Sequence, residues 1–104
     1  MIRHLLMFRW TEDSSGEDRA AALKALRAMQ DTVPSIRSIT VSEALNPGEQ
    51  SFDGLLEAHF DDADGYGAYL TADSHLAAWT EYLQPVCAGL SAIQVEQPGP
   101  ATVS

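Results

Sequence analysis

Three histidines and three tyrosines are the side chains of this 104-residue sequence best suited to proton chemistry near neutral pH. Tyr69 falls near the end of one helical stretch and His75 in the first turn of the next. A kink between them can aim both at one cavity, which their spacing along a single unbroken helix does not. There a neutral imidazole would take a proton from an acidic carbon between two carbonyls, and the phenol would donate to the oxyanion that develops. A competing reading gives both residues structural tasks. In it His75 hydrogen-bonds a backbone carbonyl near its helix start, and Tyr69 packs its ring on the sheet with its hydroxyl satisfied at the edge. His4 lies on the face of the first strand that carries Leu6 and Phe8, where a polar group is costly without a partner. It either holds another side chain in place, lines a pocket or takes part in catalysis. His59 falls on the opposite face of its own strand, with Leu55 and Glu57, as a rim or dimer-interface residue.

Other chemistries are disfavoured. The histidines lack H-x-H or H-x-x-x-H spacing and Cys87 is the only cysteine, so neither a metal site nor an intramolecular disulfide is expected. There is no glycine-rich phosphate loop, dinucleotide fingerprint or nucleophile elbow, and no cofactor is expected. A net charge of -9 with scattered Lys and Arg leaves no basic stripe for nucleic acid or an anionic membrane. Charge or glycine interrupts the apolar runs and the N-terminal residues do not read as a secretory leader, so the expected location is the cytoplasm.

The elements that must position these residues follow from periodicity. Ile2 to Trp10 alternates as a strand, apolar on both faces in its middle. Ser14 and Glu17 form a capping-box pattern ahead of a helix whose core face carries Ala22, Leu23, Leu26, Met29 and Val33. Pro34 ends it. Ile36 to Leu45 and Phe52 to Phe60 read as a hairpin around Asn46-Pro47-Gly48. Asp61, Asp62 or Asp64 caps a short helix through Leu70, and Asp73 or Ser74 opens another with His75, Leu76, Trp79, Tyr82 and Leu83 on one broad face. Leu90 to Gln97 is the last strand. Residues 1–97 form one domain, and 98–104 a flexible tail.

The order β-α-β-β-α-β is that of an α+β, ferredoxin-like antiparallel sheet with its helices on one face. Two helical segments shield one face of four strands. The other face, with Leu5 and Met7, calls for a second copy packed sheet against sheet, a two-fold homodimer.

The opening Met-Ile-Arg-His-Leu-Leu-Met-Phe-Arg-Trp, the Val33-Pro34-Ser35-Ile36 junction, Phe60-Asp61-Asp62, and Tyr69-Leu70 followed by Ser74-His75-Leu76 resemble the stress-responsive A/B barrel family. That resemblance implies a dimeric alpha-beta barrel with a pocket in each subunit between sheet and helices. Plant members of the family include polyketide cyclases that work without metal or organic cofactor. Their catalytic tyrosine and histidine look like Tyr69 and His75, and a first-strand pocket histidine is similar to His4. Pocket aromatics of those enzymes are replaced here by Ala22, Leu23 and Leu26, and Ala72-Asp73 stands where a His-Pro pair is common, so a different substrate is implied. The expectation is a cofactor-independent enzyme on a small apolar carbonyl compound, with a pocket of Leu6, Phe8, Leu23, Leu26, Leu56, Ala58 and Trp79. The alternative is a non-catalytic, stress-associated or small-molecule-binding homodimer.

Overall fold

β1 (Ile2–Trp10) is the strand on which the fold is assembled. In the computed structural model, which describes residues 1–48 and 51–96, β1 lies between β3 (Gly54–Phe60) and β4 (Cys87–Glu96), antiparallel to both. β2 (Ser38–Glu43) pairs antiparallel with the far side of β3, giving the order β2-β3-β1-β4. This is the ferredoxin-like arrangement. Its register sets His4 opposite Ala58 and Gln94, Leu6 opposite Leu56 and Ala92, and Phe8 opposite Gly54 and Leu90. Because strand side chains alternate, these residues share the face that the helices cover.

α1 (Gly16–Thr32) buries Ala22, Leu23, Leu26 and Met29 against that face. Its cap sits one residue later than the capping-box pattern implies. Ser15 accepts from the Asp18 N–H, whereas Ser14 donates to the Thr11 carbonyl and accepts from Arg19 Nε. The Arg19 guanidinium claims the Ser14 oxygen, so the cap passes to its neighbour. Asp62 caps α2 (Ala63–Thr71) by accepting from the Gly65 N–H. α3 (Asp73–Ala77) follows after a break at Ala72, whose backbone is extended. Neither Asp73 nor Ser74 caps it; Ala72 holds that position without a side-chain hydrogen bond.

α3 runs directly into a π-helical turn, Ala78–Leu83, and a 3₁₀ turn, Gln84–Val86. The wider π turn, seen in the Gln84 N–H bonding back to the Trp79 carbonyl, changes the phase of the helical face. Trp79 and Leu83 turn inward, while Leu76 and Tyr82, expected on that face, are 49% and 44% exposed.

Phe8, Leu56, Ala58 and Phe60 are fully buried at the centre of the sheet. The Phe8 ring lies over Gly54, where an added Cβ would overlap it, so glycine is required by this close approach. β2 and β3 are shorter than the alternation suggests. Asp53 leaves the regular ladder to donate its N–H to the Phe8 carbonyl and accept the Trp10 N–H on its carboxylate. β4 starts earlier than expected, at Cys87 opposite Trp10, after a register shift between Arg9 and Trp10. Gln97 and the tail 98–104 lie outside the described residues.

No helix of the described residues lies over the opposite face of the sheet. Met7, Ile93 and Val95 there are 40%, 57% and 37% exposed. Among them runs one polar ladder: Arg3 donates to Glu57 through Nε at 3.2 Å and Nη2 at 3.1 Å, and His59 Nε2 meets the same carboxylate oxygen at 2.7 Å. These bonds hold the Glu57 carboxyl below its usual range, the bond from His59 foremost. His59 thus stands on the outer face, away from His4 and His75.

Candidate functional site

The break at Ala72 brings together the residues that a straight helix would keep apart. The imidazole of His75 packs against the ring of Tyr69, centroids 4.2 Å apart, and the His4 ring is 5.7 Å from Tyr69. Tyr66, absent from the sequence-based candidates, packs 5.3 Å from His4 and 5.6 Å from Phe60. Its signal is its position one turn before Tyr69 on the same helical face.

The rings of His4, Tyr69 and His75 border a cavity of about 260 Å³ between the sheet and the helical layer, which Tyr66 does not line. His4, Tyr69 and His75 are its titratable groups, and Leu6, Leu26, Met29, Leu70, Trp79 and Leu90 complete the wall. Of the pocket expected from the sequence, Leu6, Leu26 and Trp79 line it. Phe8, Leu23, Leu56 and Ala58 are placed elsewhere, packed into the solid core, where they are 0–5% exposed. Met29, Leu70 and Leu90 take their places. Met29 could be found from its spacing after Leu26, but Leu90 reaches the cavity only through its pairing with Phe8.

The hydrogen bonds assign different protonation patterns to the two histidines. His75 Nδ1 lies 3.2 Å from the carbonyl of Leu70, one of the last carbonyls of α2, which has no partner within the helix. A carbonyl accepts only, so Nδ1 carries the proton and Nε2 keeps the lone pair. His4 Nδ1 instead lies 2.8 Å from Gln94 Nε2 on β4. The amide donates, so the neutral His4 ring carries its proton on Nε2. One histidine therefore presents an acceptor and the other a donor.

Burial reinforces this neutrality. His4 is 6% exposed, and its pKa is lowered by desolvation first and by the nearness of His75 second. Desolvation also lowers the His75 pKa, opposed by the bond to the Leu70 carbonyl. Tyr69 is 2% exposed, and burial followed by the nearby Tyr66 raises its phenol far above the ordinary value, so it stays protonated as a donor.

Gln94 was not singled out by the sequence, although a polar residue on the helix-facing side of β4 was the available signal. Replacing it with glutamate supplies an acceptor where there was a donor, so the Nδ1 of His4 takes up the proton and the added negative charge raises the His4 pKa. Long-range proton–nitrogen correlation spectra would report both changes, and an unchanged tautomer would show that Gln94 does not set it.

The site holds no lysine or arginine, and no group of three or more His, Cys, Asp or Glu side chains is gathered as for a metal among the described residues. No described helix is long and apolar enough to cross a membrane.

Comparison with known proteins places this geometry. A dimeric ferredoxin-like protein of unknown function from Thermobifida fusca is 25% identical, with a TM-score of 0.82 over 92% of this chain and 90% of the other. One from Bacteroides fragilis, also described as dimeric and of unknown function, is 24% identical, with a TM-score of 0.76 over 92% and 95%. A hydroxynitrile lyase from Passiflora edulis is 15% identical, with a TM-score of 0.81 over 95% and 96%. No curated protein matches the sequence. The model of the stress responsive A/B barrel domain matches residues 2–97. The chain belongs to the stress responsive A/B barrel family.

Proposed function

We propose that this protein is a cofactor-independent acid–base enzyme acting on a small, neutral, largely apolar carbonyl compound of polyketide-like character. The observation that carries this reading is the meeting of His4, His75 and the buried Tyr69 phenol in one apolar cavity, with Nδ1 of the two imidazoles against a carbonyl in one case and an amide nitrogen in the other. In the proposed cycle, His75 Nε2 takes the proton from the carbon beside the substrate carbonyl. The electron pair moves to the carbonyl oxygen, and Tyr69 O–H and His4 Nε2–H stabilise the enolate oxygen. The carbonyl of Leu70 accepts from Nδ1 of the resulting imidazolium and favours that charged state. Its positive charge disfavours protonation of His4, which stays neutral and keeps donating. The enolate carbon then attacks a second carbonyl of the substrate, as in an aldol closure, and His75 returns the proton to the new alkoxide. A lining without a fixed cation disfavours anionic substrates. That a structural neighbour is a hydroxynitrile lyase fits proton chemistry on this scaffold.

The test follows exchange of the acidic carbon-bound hydrogens of a small neutral 1,3-diketone in deuterated water by proton NMR. Faster exchange with protein than with buffer or with the His75→Ala variant is expected. Equal rates would overturn the enzymatic reading in favour of the non-catalytic, small-molecule-binding one, which the packing of His75 between Tyr69 and the Leu70 carbonyl also suits.

The same reading includes a homodimer closed sheet against sheet through Leu5, Met7, Leu55, Ile93 and Val95, as the dimeric neighbours suggest. Charge at the centre of such an interface is costly, so Ile93→Asp with Met7→Lys weakens association by about 2 kcal/mol or more. Sedimentation at micromolar concentration is expected to give a wild-type dimer and a monomeric variant; a wild-type monomer would refute the interface. The reduced Cys87 thiol, donating to the Gly89 carbonyl at 3.3 Å, fits a cytoplasmic location.

A further inference from the structure

We propose that Met29 sets the length of the apolar chain that the site accepts, because its side chain is the wall between the catalytic cavity and a second hollow on the far side of the helical layer. This rests on the site proposed above and adds to it the substrate's second feature, an unbranched alkyl chain attached to the carbonyl group.

The second hollow, about 470 Å³, runs between α1 and the α3–π segment. α1 turns Leu26 and Met29 towards the inner cavity and Ala21, Ala25 and Ala28 towards the groove. The opposite wall divides in the same way, with His75 and Trp79 inside and Ala77, Ala78 and Tyr82 outside. Among the described residues Met29 alone borders both spaces. It is 1% exposed, so its side chain fills the seam. Ala25 and Ala28, within about one helical turn of Met29 in the groove, are too short to close that seam in its absence.

The chemistry of the partition matters. Methionine is unbranched and its thioether moves between rotamers at low cost, yet in a packed core it occupies its volume continuously. A chain growing from a carbonyl beside His75 meets this side chain when the inner cavity is full. Past it, the groove offers an apolar floor and opens towards Lys24, Thr32 and Ser74 at its margins. No acidic side chain lines it, so nothing there repels or captures a neutral alkyl chain by charge.

The test uses straight-chain methyl ketones from butanone to dodecan-2-one, titrated into the full-length protein by calorimetry and followed by the ε-methyl NMR signal of Met29. In the wild type, each added methylene is expected to tighten binding about fourfold until the cavity is full, after which the gain stops. Met29→Ala moves that limit to longer chains by several carbons, and Met29→Leu, which conserves volume, leaves it in place. If Met29→Ala does not fold, Met29→Val, which shortens the side chain while keeping core bulk, is expected to move the limit by fewer carbons. A limit unchanged in the shortened variant, or no limit in the wild type, overturns the role of Met29. Failure of every ketone to bind the wild type overturns the site itself and this inference with it. Binding with a Met29-dependent limit, but without catalysed exchange, supports this inference and sinks only the enzymatic reading.

Discussion

His75→Ala lowers the protein-catalysed exchange of the diketone by about 10²–10⁴-fold, the usual contribution of a positioned general base. The fold tolerates the change, because His75 is only half-buried and its one hydrogen bond goes to a helix-end carbonyl that water can reach in its place. Far-ultraviolet circular dichroism of the variant therefore matches the wild type, which separates loss of the base from loss of structure. The pH profile adds a second readout. Only the neutral imidazole accepts a proton, so the wild-type rate rises with pH and then levels off. Desolvation holds the His75 pKa down, so the midpoint of the rise lies below the ordinary 6.5. His75→Ala removes this limb. A variant that keeps both the rate and the limb would exclude His75 as the base.

The same burial links folding to pH. His4 and His75 both have folded pKa values lowered from 6.5, so between the unfolded and folded values the unfolded chain binds more protons. Their contribution is fully present above about 6.5 and is lost as the pH falls through the lower folded values.

Phe8→Ala is expected to cost about 3–5 kcal/mol of folding stability, a large share of the roughly 5–15 kcal/mol that holds a domain of this size together. Its side chain is fully buried, covers Gly54 and meets Trp10 edge-on at 5.1 Å between centroids, so its removal leaves a hole that the rigid sheet beneath cannot collapse to fill. Gly54→Ala tests the same contact from the other side. The added methyl displaces the Phe8 ring and costs about 1–3 kcal/mol by overpacking. Urea denaturation measures both. A loss below 1 kcal/mol for Phe8→Ala would show that this ring is not a keystone of the core.

The outline of this fold was readable in the residues because strand and helix periods differ. Ile2–Trp10 alternates with a period of two and declares two apolar faces, whereas Ala22, Leu23, Leu26, Met29 and Val33 recur at helical spacing and declare one. An aspartate cap among Asp61, Asp62 and Asp64, and Pro34 as a break, are local effects of a side chain on its own backbone and were visible; that Asp62 is the one that caps came from the structure. Ser15 in place of Ser14 was not, since the competitor for the Ser14 oxygen is an arginine a helical turn away.

The site was legible only in part. His4, Tyr69 and His75 were identifiable as residue types on plausible faces, and the structure brings all three to one cavity. Leu6 and Phe8 share a face in sequence, yet one lines the cavity and the other fills the core; periodicity fixes the direction of a side chain and says nothing of the space it enters. Gln94 lies 90 residues from the histidine whose tautomer it sets, and only the register of β1 against β4 joins them. The π turn that directs Trp79 inward and Tyr82 outward is a similar case. Composition, alternation and capping are short-range properties that a chain carries wherever it goes, so the sequence alone determined the order of elements, the two apolar faces of the sheet and the residues able to move protons. Cavities, tautomers and shared walls arise from pairwise fit between distant segments, and for these only the tertiary packing decided the outcome.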